Sequence, residues 1–102
     1  MVSILINNYK HKIVQVTVTG HANFATIGKD IVCAGVSAIV TGTLNALHEM
    51  VVSEITINHK PGLVIIKVNT ITNTNQIILQ VMLWQLKTIN KQYPHYLEIK
   101  EV

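Results

Sequence analysis

The sequence predicts an α+β domain with element order ββαββαβ, a small and mainly antiparallel sheet with two helices packed on one face. Three observations predict it. In IVQVTVT (13–19), Val14, Val16 and Val18 share one face of a strand, and Gln15, Thr17 and Thr19 share the other. From about Asp30 to Met50, the residues Val36, Ile39, Val40, Thr43, Leu44 and Leu47 recur at the spacings of three and four that mark a helix. A second helical pattern runs from about Asn73 to Gln92 and stops before Pro94.

The elements follow in order. VSILI and IVQVTVT flank the polar NNYKHK, which reads as the turn of a first hairpin. A loop, GHANFATIGK, lies between the second strand and the first helix and contains Gly20 and Gly28. Asp30 is the expected cap of that helix. EITINH and LVIIKVN, joined through Pro61-Gly62, form a second hairpin. In the second helix Asn73 suits the cap, with Gln76 three residues on as in a capping box. YLEIK is a final strand with Leu97 and Ile99 on one side.

With 102 residues and no linker or repeat, the chain (1–102) is expected to be a single domain. The chain is 49% hydrophobic and only 13% charged, against a usual ~25% charged. Such a surface predicts cover by another subunit. The second helix is where that cover is expected: Gln76, Gln80, Lys87 and Lys91 make a narrow polar stripe, and apolar residues fill the rest of its circumference. One-sided packing needs only a stripe roughly 100° wide, so a homodimer through this helix is expected.

The net charge is +3, all eight basic residues are lysines, and they are scattered rather than interleaved with aromatics. No direct nucleic-acid partner is expected on that pattern. MVSILINNYK has no basic leader, and one cysteine makes no internal disulfide. Ile31 to Leu47 carries no charge, yet it is interrupted by Ser37, Thr41, Thr43 and Asn45 and falls short of the ~20 apolar residues of a membrane span. A cytoplasmic protein without membrane contact is the expectation. His11, His59 and His95 fall in or beside turns, and His48 and Glu49 read as a solvated helix end. No paired His or Cys spacing suggests a metal, and no cofactor is expected.

Chemistry gathers in GKDIVCAGVSAI (28–39), which holds the only cysteine. With Asp30 as cap, Cys33 falls in the first helical turn, where unpaired N–H groups and the macrodipole stabilise a thiolate and an oxyanion. His21, at the exit of the second strand, is the candidate base and acid. Gly20 and Gly28 are candidate hinges of the loop, and Asn23 and Phe24 candidate substrate contacts. Ser37, four residues after Cys33, shares its helical face; it serves either as a hydrogen-bonding group or as a small residue packed beside Ala34 and Ala38. The competing reading of Cys33 is inert packing, common for a single cysteine.

GHANFATIGKDIVCAGVSAI (20–39) closely resembles the signature of the ribosomal-processing cysteine proteases, the Prp-like family, and NQIILQVMLWQLKTI resembles that family's second helix. The resemblance spans nearly the whole chain. It implies a cofactor-free cysteine endopeptidase that removes a short N-terminal extension from a large-subunit ribosomal protein. By motif it assigns Cys33 as nucleophile and His21 as base and acid. It also implies an α/β homodimer with a mobile loop between the two, and substrates with aromatic or other apolar residues before the cut. The alternative is a non-enzymatic ribosome-associated or RNA-binding dimeric module, resting on the positive net charge.

Overall fold

The computed structural model describes residues 1–20 and 27–102, with side chains described for 1–20 and 31–102. The elements are β1 (Val2–Tyr9), β2 (Lys12–Thr19), α1 (Ile27–Val51), a 3₁₀ turn (Val52–Glu54), β3 (Ile55–Lys60), β4 (Leu63–Val68), α2 (Asn73–Gln92) and β5 (Leu97–Glu101). The five-stranded sheet has order β3-β4-β2-β1-β5. All its pairs are antiparallel except β1 with β5, which run parallel. The predicted ββαββαβ order and mixed sheet are thus the observed ones.

The first hairpin differs from the sequence expectation in two ways. Its strands run into the polar segment and leave only Lys10 and His11 in the turn, with φ of 49° and 66°. Two successive positive φ values are what a tight hairpin turn following the strand twist requires. The register also slips, because Asn7 faces Gln15 while Asn8 faces Ile13, leaving Val14 as a bulge. A bulge reverses the alternation beyond it. Ile13, not Val14, therefore joins Val16 and Val18 in the core, where it is fully buried.

One face of the sheet carries Val2, Ile4, Ile6, Val16, Val18, Ile55, Val64, Ile66 and Leu97 into that core. Val32, Val36, Val40, Thr43 and Leu47 of α1 and Leu79, Met82, Leu83 and Leu86 of α2 cover it. The segment Ile31–Glu54 is long and apolar enough to cross a membrane by composition, but here its buried residues belong to the core under the sheet. Gly35 lets the helices approach: a Cβ there would stand 2.9 Å from Ile89 Cδ1 of α2.

The start of α2 is set one residue earlier than predicted. Thr72, not Asn73, is the cap, its Oγ1 accepting from Asn75 N at 3.2 Å while Asn75 Oδ1 accepts from Thr72 N at 3.3 Å. This is a capping box with Asn in the reciprocal position. Gln76 is thereby released for another task and leaves the predicted solvent stripe. It is 8% exposed; its Nε2 donates to Ile13 O and its Oε1 accepts from Ile13 N, both at 2.8 Å. The β2–β4 register ends at Gln15 opposite Lys67, so beyond it Ile13 has no β4 partner. The Gln76 amide stands in for that missing strand.

Candidate active site

Cys33 lies in α1 and lines a cavity of about 360 Å³ between the first half of this helix and the β3–β4 hairpin. Steps of four residues place Ser37 and Thr41 along the same helical edge, and both line the cavity. Val2, Val18 and Val64 of the sheet, with Val36, Val40 and Leu44 of α1, make its apolar interior. The facing wall is the end of the hairpin, from His59 through Pro61 and Gly62.

Backbone conformation fixes that wall. Pro61 sets one turn position and Gly62, at φ 75°, takes the next, where a side chain is disfavoured. Gly62 O accepts from Gly20 N at 3.1 Å, tying the exit of β2 to the turn. Gly20 itself has φ 82°, and a Cβ there would come within 2.4 Å of the Met1 carbonyl oxygen. Glycine is the residue this junction admits.

Several predicted site residues are thus brought together: Cys33, Ser37 and Gly20 all line one cavity. His21, Asn23 and Phe24 lie outside the described residues. Two expectations need correction. α1 begins at Ile27, so Asp30 stands inside the helix rather than capping it, and Gly28 is a helical residue rather than part of the loop. Glycine is tolerated in a helix at a cost of only ~1 kcal/mol, and reading it as a boundary set the predicted start too late. Cys33 consequently sits beyond the first four N–H groups, the ones an α-helix leaves unpaired. Its own amide belongs to the helical ladder and is not a ready oxyanion donor.

The sequence reading also missed His59 and Lys60 as cavity residues. No local signal marks them, because the β2–β4 pairing that brings the hairpin beside α1 joins segments far apart in the chain. Among the described residues, no three His, Cys, Asp or Glu side chains cluster as a metal site would need.

Known proteins resemble this chain in both sequence and fold. The profile of the family described as cysteine protease Prp matches residues 1–98. The ribosomal processing cysteine protease Prp of Staphylococcus aureus (strain Mu50) is 37% identical over 95 residues, covering 90% of this chain and 89% of that protein. Its namesake in Mycoplasma pneumoniae is 30% identical over 103 residues, covering 99% and 95%. The crystal structure of the S. aureus Prp with a covalently linked product peptide superposes with TM-score 0.88 at 34% identity, over 100% of both chains. A second structure of that protease, with a substrate peptide, gives TM-score 0.86 at 30% identity, again over 100% of both chains. The domain is a cysteine protease. More narrowly, the chain belongs to the ribosomal processing cysteine protease family, Prp.

Proposed function

We propose that this protease cuts a short N-terminal extension from a large-subunit ribosomal protein, with Cys33 as nucleophile and His21 as general base and acid. The observation that carries the reading is the position of the only cysteine, half-buried on the wall of an apolar cavity about 360 Å³ in volume. Gly20, to which His21 is bonded, lines the same cavity. The apolar interior suits the aromatic or apolar residues that such substrates carry before the cut.

In this mechanism the Cys33 thiolate attacks the scissile carbonyl carbon, and the C–N bond breaks as the His21 imidazolium protonates the departing amine. Water, deprotonated by the same imidazole, then hydrolyses the thioester. The Ser37 hydroxyl, on the cavity edge one turn from Cys33, is a positioning group for the acyl carbonyl. The helix start at Ile27 gives the oxyanion no donor at Cys33 itself, so its donors come from elsewhere in the bound state.

Incubation with the extended ribosomal protein tests the reading. A single cut near the N-terminus is expected. Cys33→Ala should lower its rate by at least about a thousandfold, and His21→Ala should slow it severely. Cleavage that survives Cys33→Ala would overturn the mechanism.

The assembly is a homodimer through α2. Ile77, Val81 and Trp84 are 63%, 52% and 65% exposed on one stripe of that helix, and Val81 borders an apolar groove with Ala38, Gly42 and Ala46 of α1. Burial of such side chains stabilises association by about 1.5–3 kcal/mol for a fully covered residue. Sedimentation should find a dimer at micromolar concentration and a monomer for Val81→Glu; a monomeric parent would remove the proposal.

A further inference from the structure

The hairpin wall of the Cys33 cavity has a chemistry that the cleavage reaction leaves unused. His59 and Lys60 are the last residues of β3; both are exposed and both line the cavity. No Asp or Glu is among the described residues lining it. Among the described lining residues the others are apolar or uncharged, so this wall is where they place cationic side chains. The wall is also held in place: Lys60 pairs with Leu63 across the Pro61–Gly62 turn, and Gly62 O accepts from Gly20 N at 3.1 Å. His59 shares the strand face of its partner Val64, and Lys60, its neighbour at the strand end, leaves the opposite face and borders the same cavity at its rim. An imidazole N–H and an ammonium are both donors that make charge-assisted hydrogen bonds to a carboxylate.

We propose that the His59–Lys60 end of β3 is a carboxylate-binding wall of the Cys33 cleft. The proposal rests on the protease reading, because that reaction makes a carboxylate at this place. When the acyl-enzyme is hydrolysed, the oxygen of water bonds to the acyl carbon and the C–S bond breaks. The sulfur leaves as thiol, and the excised peptide is released with a carboxylate at its new C-terminus and a proton to solvent. That anion forms at the cysteine, in the cavity the wall faces. An acidic side chain of the bound peptide is the other source of the same group. Retention of the first would make the enzyme sensitive to its own product; recognition of the second would make it selective.

Binding to the full-length Cys33→Ala protein tests the wall without turnover. The probes are N-acetylated apolar pentapeptides ending in Phe, made as the free acid, as the C-terminal amide, and as amides with Glu or Gln at inner positions. The free acid is expected to bind about tenfold more tightly than the amide, the size of one charge-assisted hydrogen bond. Lys60→Gln and His59→Gln should each shrink that ratio, and Lys60→Arg should keep most of it. A preference for the Glu amide over the Gln amide, lost in the same variants, would also support the wall and identify side chains as its ligand. Equal binding within both pairs, a preference that survives Lys60→Gln/His59→Gln, or no binding of any peptide would overturn it. Failure of the protease reading is a separate result, read from cleavage by Cys33→Ala and not from these ratios.

Discussion

The first turn of α2 and the first half of α1 treat their polar groups in opposite ways. Around α2, Glu54 Oε1 accepts from Thr72 Oγ1 at 2.6 Å and from Asn75 Nδ2 at 2.9 Å, and Asn75 Nδ2 also donates to Thr70 O at 2.7 Å. Gln76 then closes both free groups of Ile13. Asn75 is fully buried there, and among the described residues no buried side-chain N or O lacks a partner. Along α1, by contrast, Ser37 and Thr41 are exposed beside the half-buried Cys33 on the rim of an open cavity. A saturated, buried network fixes geometry and leaves nothing for a ligand. An open cavity rimmed by exposed hydroxyls keeps capacity for one. The α2 end is therefore the anchor, and the α1 edge is where the proposed chemistry is placed.

That division breaks if substitutions on the two sides have similar effects. Cys33→Ala should abolish cleavage yet move unfolding by less than about 1 kcal/mol, since the side chain only borders the core. Gln76→Leu should do the reverse. It keeps the apolar bulk but strands the buried N–H and C=O of Ile13, at about 2–4 kcal/mol for the two groups. Urea titration should show a clear fall in midpoint with little change in slope, and the folded fraction should cut at the parental rate. An unchanged midpoint would mean that Ile13 finds other partners and that Gln76 anchors nothing.

The same contrast explains what could be read in the sequence. Strand and helix periods are local, so IVQVTVT and the run from Val36 to Leu47 revealed their elements, and paired strands between helices revealed the sheet. Cys33 and Ser37, four residues apart, share a helical edge by arithmetic alone. The bulge at Val14 was not legible, because it depends on how β1 and β2 register. Gln76 was read as solvated, because its partner Ile13 is distant in the chain and is left without a β4 partner where that pairing ends. The α1 start was misplaced since Asp30 is as good a cap by type as any, and nothing nearby says that the helix is already formed. His59 was read only as lying beside a turn, and nothing local set it or Lys60 against α1.

Thr72→Ala is the smallest test of the anchor and the finest. The substitution removes the cap hydroxyl that accepts from Asn75 N and donates to Glu54 Oε1. Loss of a Thr cap costs about 1 kcal/mol. Glu54 would keep Asn75 Nδ2 as a donor and Asn75 would keep Thr70 O, so the network should weaken without coming apart. Thr72→Ser, which keeps the hydroxyl, should recover most of the loss, whereas Thr72→Val, which keeps the shape, should not. Full recovery by Val would assign the stability to packing of the methyl group. The contrast between the two helices would then rest on Gln76 alone.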